Sequence, residues 1–166
     1  MSKVAVDDNP YSGFQLFSLV ALRMLIGWHF LYEGIAKFIN PYWTSAGYLQ
    51  ASQGPFADWF VSLAANPERL ALVDGLNRWG LVLIGAALLI GFGARLAAFL
   101  GAVMLLLYYL ANPPLLGLES LIPTEGSYLF VNKVLIEMAA MVVLLAFRTS
   151  HLVGLDRLKI WERNDE

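Results

Sequence analysis

The chain contains no cysteine. Disulfides, thiolate nucleophiles, iron–sulfur ligation and covalent sulfur carriage by the polypeptide are thereby excluded, so any redox chemistry needs a bound cofactor. Charge is scarce as well: 14% of the 166 residues are charged, the formal net charge is −2, and neither a basic run nor an acidic tail occurs. Such a surface offers nothing to a phosphate backbone, and nucleic-acid binding is set aside. Histidine is limited to His29 and His151. These two fall at different depths of the pattern described below, and no spacing of ligating residues points to a haem or another metal. A Walker loop, a dinucleotide fingerprint and a nucleophile elbow are also missing. The opening residues, Met1 to Gly13, carry Asp7 and Asp8 and lack a basic n-region with a cleavage site, so no cleaved signal is expected.

What remains is apolar. A hydrophobic fraction of 58% and a mean hydropathy of +0.62 make a bilayer the natural solvent for one domain. Four stretches approach the ~20 residues that cross the hydrocarbon, at roughly 14–39, 76–92, 95–111 and 128–147. The expected architecture is all-α, an integral membrane four-helix bundle. Short interfacial helices are expected in the first outer loop (40–75) and in the C-terminal tail (148–166). In that loop Phe56, Trp59, Phe60 and Leu63 recur at helical spacing after Gly54-Pro55. After Asn66-Pro67 the chain is expected to extend the second span above the membrane. Arg95 sits in a tight connection after Gly91 and Gly93, and Asn112-Pro113-Pro114 stops the third span. Lys3, Arg95, Arg148, Arg157, Lys159 and Arg163 fall on the side of the termini, which places both termini in the cytoplasm of a bacterial inner membrane.

The first span is interrupted by Arg23, His29, Glu33 and Lys37, which must turn away from lipid. Glu33 and Lys37 share a helix face, and Lys133 and Glu137 repeat that spacing on the fourth span. Because the two spans run in opposite directions, both lysines lie nearer the outside and the pairs are expected to meet. Counting back from Ile39 puts Lys37 ~3 Å and Glu33 ~9 Å below the outer boundary. The group is charge-neutral, which matters where an unpaired charge costs about 2.5 to 3.5 kcal/mol. Tyr32, Trp79, Tyr108, Asn112 and Asn132 gather at the same level and are candidate walls for a ligand. Arg23 and Arg95, in the inner half, are expected to snorkel toward lipid phosphates. An ion-pair network that only fixes helix packing is the competing reading of the same charges.

These residues also resemble a known family. The segment ALRMLIGWHFLYEGIAKF, with Arg23, Gly27, Phe30, Gly34 and Lys37, looks like the opening span of the DoxX family of four-span membrane proteins. LVLIGAALLIGFGARLAAFLGA is similar to its hairpin at Gly85, Gly91 and Arg95. EGSYLFVNKVLIEMAAM, with Asn132, Lys133 and Glu137, resembles the fourth span of DoxD-like members, the membrane subunit type of thiosulfate:quinone oxidoreductase. The resemblance covers roughly Leu16 to Phe147. It departs from many relatives at Leu81, where they carry an acidic residue.

The resemblance implies a quinone-interacting oxidoreductase subunit working with a partner redox subunit on the outer face. The residues expected to carry the chemistry are Glu33, Lys37, Lys133, Glu137 and His29. Lysine would polarise a quinone carbonyl or hold an anionic donor, and Glu or His would move protons. Two other classes compete: a non-catalytic membrane anchor or assembly factor, and a small-anion or proton carrier. Glycine-rich faces on the second and third spans also permit a homo-oligomer.

Overall fold

The computed structural model describes residues 10–114 and 129–157. Every regular element among them is helical. Helix α1 (Gly13–Ile39) starts with a reciprocal cap: the Ser12 N–H donates to Gln15 Oε1 at 2.8 Å, and the Gln15 N–H donates to Ser12 Oγ. It ends at Asn40, just before Pro41. Two short helices follow, α2 (Ala46–Gln50) and α3 (Ala57–Ala65). Helix α4 (Pro67–Ile90) opens on Asn66, whose side chain accepts from the N–H groups of Glu68 and Arg69, with Pro67 supplying a preset φ at the first position. The second span and its extension above the membrane are therefore one continuous helix. Gly91 and Gly93, at φ +71° and +60°, turn the chain through a left-handed pair of residues into α5 (Ala94–Ala111).

Helix α6 (Lys133–Ala146) begins at the Asn132 cap, which accepts from the Leu135 N–H at 3.0 Å. Its 14 residues reach ~21 Å, short of the ~30 Å hydrocarbon. Among the described residues three helices, α1, α4 and α5, are long and apolar enough to cross a membrane. The fourth span expected from roughly 128 thus starts as a helix only at Lys133, and Tyr128 lies outside the described residues. The C-terminal segment runs through turns and bends from Ser150 to Leu155 and is helical at Asp156 and Arg157, and the rest of the expected in-plane helix, residues 158–161, lies outside the described residues.

Packing follows the small residues. Helices α1 and α4 run antiparallel with their backbones in contact at Gly27, Gly34 and Gly85. A Cβ on Gly34 would stand 2.7 Å from Val82 Cγ2 and 2.8 Å from the Val82 nitrogen, and one on Gly85 would strike the Leu31 backbone and the Gly27 carbonyl. Gly101 of α5 instead receives the thioether end of the Met141 side chain from α6. Phe30, Leu88 and Met141 fill the centre, with Ala97 and Ala98 allowing close approach. Helix α1 thus packs on α4, α4 on α5 and α5 on α6, while α1 and α6 touch only sparingly. Only 22% of the apolar window of α1 and of α4 is buried in the protein, so the remainder needs lipid as its solvent.

At the hairpin end, Arg23 is 3% exposed. It does not snorkel. Its guanidinium donates to Val153 O at 2.6 Å and to Thr149 Oγ1 at 3.1 Å. The same segment clasps the hairpin: Leu155 and Asp156 donate backbone N–H groups to the carbonyls of Ile90 and Gly91, and Gly93 donates to Asp156 Oδ1 at 2.8 Å. The C-terminal segment supplies acceptors inside the protein, which removes the reason for Arg23 to seek phosphate. Arg95 is exposed, as its position in the hairpin leads one to expect.

Candidate functional site

The sparse α1–α6 seam carries the charges. His29 Nε2 of α1 and Glu137 Oε1 of α6 stand 3.3 Å apart, with side chains 36% and 21% exposed. One turn toward the loop end Glu33 follows, and its Oε2 lies 3.5 Å from Lys37 Nζ. Glu33 and Lys133 are both within electrostatic reach of Glu137. Of the two expected Glu/Lys pairs, the one on α1 forms within its own helix. Glu137 takes His29 of the facing helix as a partner at contact distance, with Lys133 also within electrostatic reach. The result is a row of partly exposed acid–base groups along the seam.

A second polar set lies between α2, α4 and α5 at the loop end. Tyr48 donates its hydroxyl to Tyr108 O at 2.8 Å, Asn77 Nδ2 donates to Tyr108 Oη at 2.6 Å, and Asn112 Nδ2 donates to Tyr48 O at 3.1 Å. Ser52 Oγ donates to Ala111 O, satisfying a carbonyl left free at the buried end of α5. Burial holds the Tyr48 phenol above its ordinary pKa, which keeps it a donor at neutral pH. Asn77 Oδ1 is buried and has no partner among the described residues. Glu33 is within electrostatic reach of Tyr108, so this network and the seam adjoin.

The expected ligand walls are spread over several surroundings. Tyr108 belongs to the buried network, Asn112 ends α5 and Asn132 caps α6. Trp79 and Tyr32 are exposed: Trp79 stacks edge-on against Phe38 at 5.0 Å, and Tyr32 lies beside Trp28. Sequence reasoning passed over Arg78. It donates to Trp43 O at 2.6 Å and lies over the Trp43 ring, which Lys37 also approaches at the same 5.2 Å. Asp74, four residues before Arg78, is engaged by the N–H and hydroxyl of Ser45 at 2.8 and 2.6 Å. The i,i+4 spacing of Asp74 and Arg78 is visible in the sequence, but it suggests an ion pair with each other. Among the described residues no group of His, Asp and Glu is arranged to hold a metal ion.

An all-helical fold, three membrane-length helices and a charged seam between apolar faces define an integral membrane protein with a polar site at bilayer depth. The DoxX family model matches residues 18–112, more than half of the chain, and the protein belongs to the DoxX family. Neither a curated protein nor a solved structure gives a significant match. The matched residues include His29, Glu33, Lys37, Arg78 and Tyr108 and end before α6. Half of the charged seam thus falls inside the family segment, and its α6 half, Lys133 and Glu137, falls outside.

Proposed function

We propose that the protein is a quinone-interacting subunit of a membrane oxidoreductase, of the DoxD-like type, with both termini in the cytoplasm of a bacterial inner membrane. A partner redox subunit at the loop end would deliver electrons from a small sulfur compound such as thiosulfate. The observation that carries this reading is the His29–Glu137 contact across the thinly packed α1–α6 seam. A lipid-soluble ligand reaches such a seam from the bilayer, and its half-exposed side chains suit a polar head group on an apolar tail.

A bound quinone supplies two-electron, two-proton chemistry. The chain's own residues then have separable tasks. Glu137 Oε1 and His29 Nε2 hold and pass a proton between α6 and α1. Glu33 accepts or releases it one turn nearer the loop end, and Lys37 and Lys133 orient a carbonyl oxygen by their charge. Apolar helix surface on both sides of the seam excludes bulk water.

The test is extraction of purified protein from mild detergent followed by quantification of quinone. Quinone is expected to copurify with the wild type and to be reduced at least severalfold in Glu137→Gln and Lys133→Met. Absence of quinone from the wild type, with redox activity retained by both variants, would sink this reading.

A second reading, a membrane anchor that recruits a redox partner, is favoured by α3 and its N-cap residue Phe56: Phe56 and Trp59 are exposed while Phe60 is buried. Partner capture lost in Phe56→Ser/Trp59→Ser but kept in Glu137→Gln would favour it. Flux of a small anion into proteoliposomes without an electron donor would instead favour a carrier.

A further inference from the structure

Lys37 and Arg78 come to one level because of how α1 and α4 pack. The contacts of Gly34 with Val82 and Gly27 with Leu88 fix an antiparallel register that brings Lys37 opposite Arg78. That level is ~3 Å below the end of α1, at the loop-end boundary of the bilayer. Both cations lie 5.2 Å from the ring centroid of Trp43.

Their charges are not balanced. Lys37 is 3.5 Å from Glu33. Arg78 has no carboxylate within ion-pair distance among the described residues, because Asp74 is bound to Ser45. Of the five donors on a guanidinium, the Arg78 group uses Nη2 on the Trp43 carbonyl, and its Nε is buried and unpartnered. The next residue on each helix points to the identity of the missing anion. Phe38 and Trp79 stack at 5.0 Å and are both exposed on the apolar surface, where interfacial aromatics border the head-group layer.

We propose that Lys37, Trp43 and Arg78 form a binding site for the phosphate of an anionic phospholipid, with the Phe38–Trp79 pair against its glycerol and upper acyl region. The excess charge of Arg78 is met by one phosphodiester, a single-charge acceptor that an arginine fork engages well. A dianionic partner is not required. The site is separate from the α1–α6 seam in the groups it uses, Lys37 excepted, and does not depend on the quinone reading.

Native mass spectrometry of the full chain, released from detergent supplemented with phosphatidylglycerol or phosphatidylcholine, tests the site. The wild type is expected to retain one phosphatidylglycerol in preference to phosphatidylcholine, by about fivefold for the one unbalanced cation. Arg78→Gln abolishes the preference, and Arg78→Lys, which keeps the charge and loses the fork, retains part of it. Equal retention of the two lipids by the wild type, or an unchanged preference in Arg78→Gln, overturns the proposal. Stabilisation of the wild type by inorganic phosphate without any lipid preference also overturns the lipid assignment and points to a soluble oxyanion. If Arg78→Gln does not fold, Lys37→Met carries the same test with the same two outcomes.

Discussion

His29 Nε2 and Glu137 Oε1 stand 3.3 Å apart where α1 and α6 otherwise barely touch. A polar contact joins two helices that packing alone leaves separate. The helices on either side are held differently, by glycine-mediated backbone contact between α1 and α4 and by Met141 seated on Gly101 between α5 and α6. The seam is therefore the part of the bundle best able to admit a ligand without disturbing the core.

A general acid or base acting at this contact contributes about 10²- to 10⁴-fold to a proton-coupled step. Glu137→Gln and His29→Gln should each lower quinone-linked turnover by at least about 10²-fold while leaving the helical circular dichroism of the purified protein unchanged. The double variant should fall no further than the worse single one if the pair acts as a unit. Steady-state rates for the four proteins, wild type included, check this. Additive losses would mean that the two groups work independently.

The α1–α4 contact makes a sharper demand on stability. A Cβ at Gly85 meets backbone atoms of Leu31 and Gly27, which no rotamer change can move aside, so Gly85→Ala should cost about 1–3 kcal/mol, as an overpacked core does. Gly80→Ala meets only Met104 Sδ, at 3.3 Å, and a flexible thioether can give way. Gly75 has open space around it within α4, so Gly75→Ala should stabilise by about 0.5–1 kcal/mol. Thermal unfolding in one detergent ranks the three, and Gly85→Ala falling near Gly80→Ala would refute the close-contact geometry.

Much of this was legible in the sequence, and what was not has identifiable physical causes. Hydropathy and the capping residues mark α1, α4 and α5, because both signals are local. Helical spacing finds α3 but not α2, whose five residues carry too little periodicity. The inward turn of His29, Glu33 and Lys37 follows from the cost of charge in hydrocarbon, whereas the partner of Glu137 depends on the rotation of α6, which spacing within one helix does not specify. Arg23 escaped because its acceptors, Thr149 and Val153, lie 126 and 130 residues away. Arg78 escaped because Asp74, its natural i,i+4 partner, is taken by Ser45 from a loop of no recognisable pattern.

The start of α6 is set by one side chain. Asn132 accepts from the Leu135 N–H, and Asn132→Ala should cost about 1 kcal/mol. Fraying of this first turn would displace Lys133 before it reached Glu137. Hydrogen exchange should therefore rise at 133–136 and stay unchanged at Met141, which α5 holds in place. Loss of protection along the whole of α6 would show instead that the cap governs the helix rather than its first turn.

The Arg23 clasp separates two roles for a charged residue at the hairpin end. An arginine that snorkels to phosphate is exchangeable for methionine at little cost. Arg23 is buried and bonded to Val153 O and Thr149 Oγ1, with the charge of Asp156 nearby. Arg23→Met removes two charge-assisted bonds and should cost about 3 kcal/mol, and proteolysis should then cut within 149–157. Arg23→Lys, a point charge that satisfies one acceptor at a time, should lie between wild type and Arg23→Met. Exposed Arg95 provides the contrast, since Arg95→Met should leave both unfolding temperature and cleavage unchanged. Limited proteolysis with thermal unfolding decides between the roles, because a snorkelling Arg23 predicts the same pattern for Arg23→Met as for Arg95→Met. The clasp predicts that the C-terminal segment leaves the Gly91–Gly93 turn only when Arg23 is replaced.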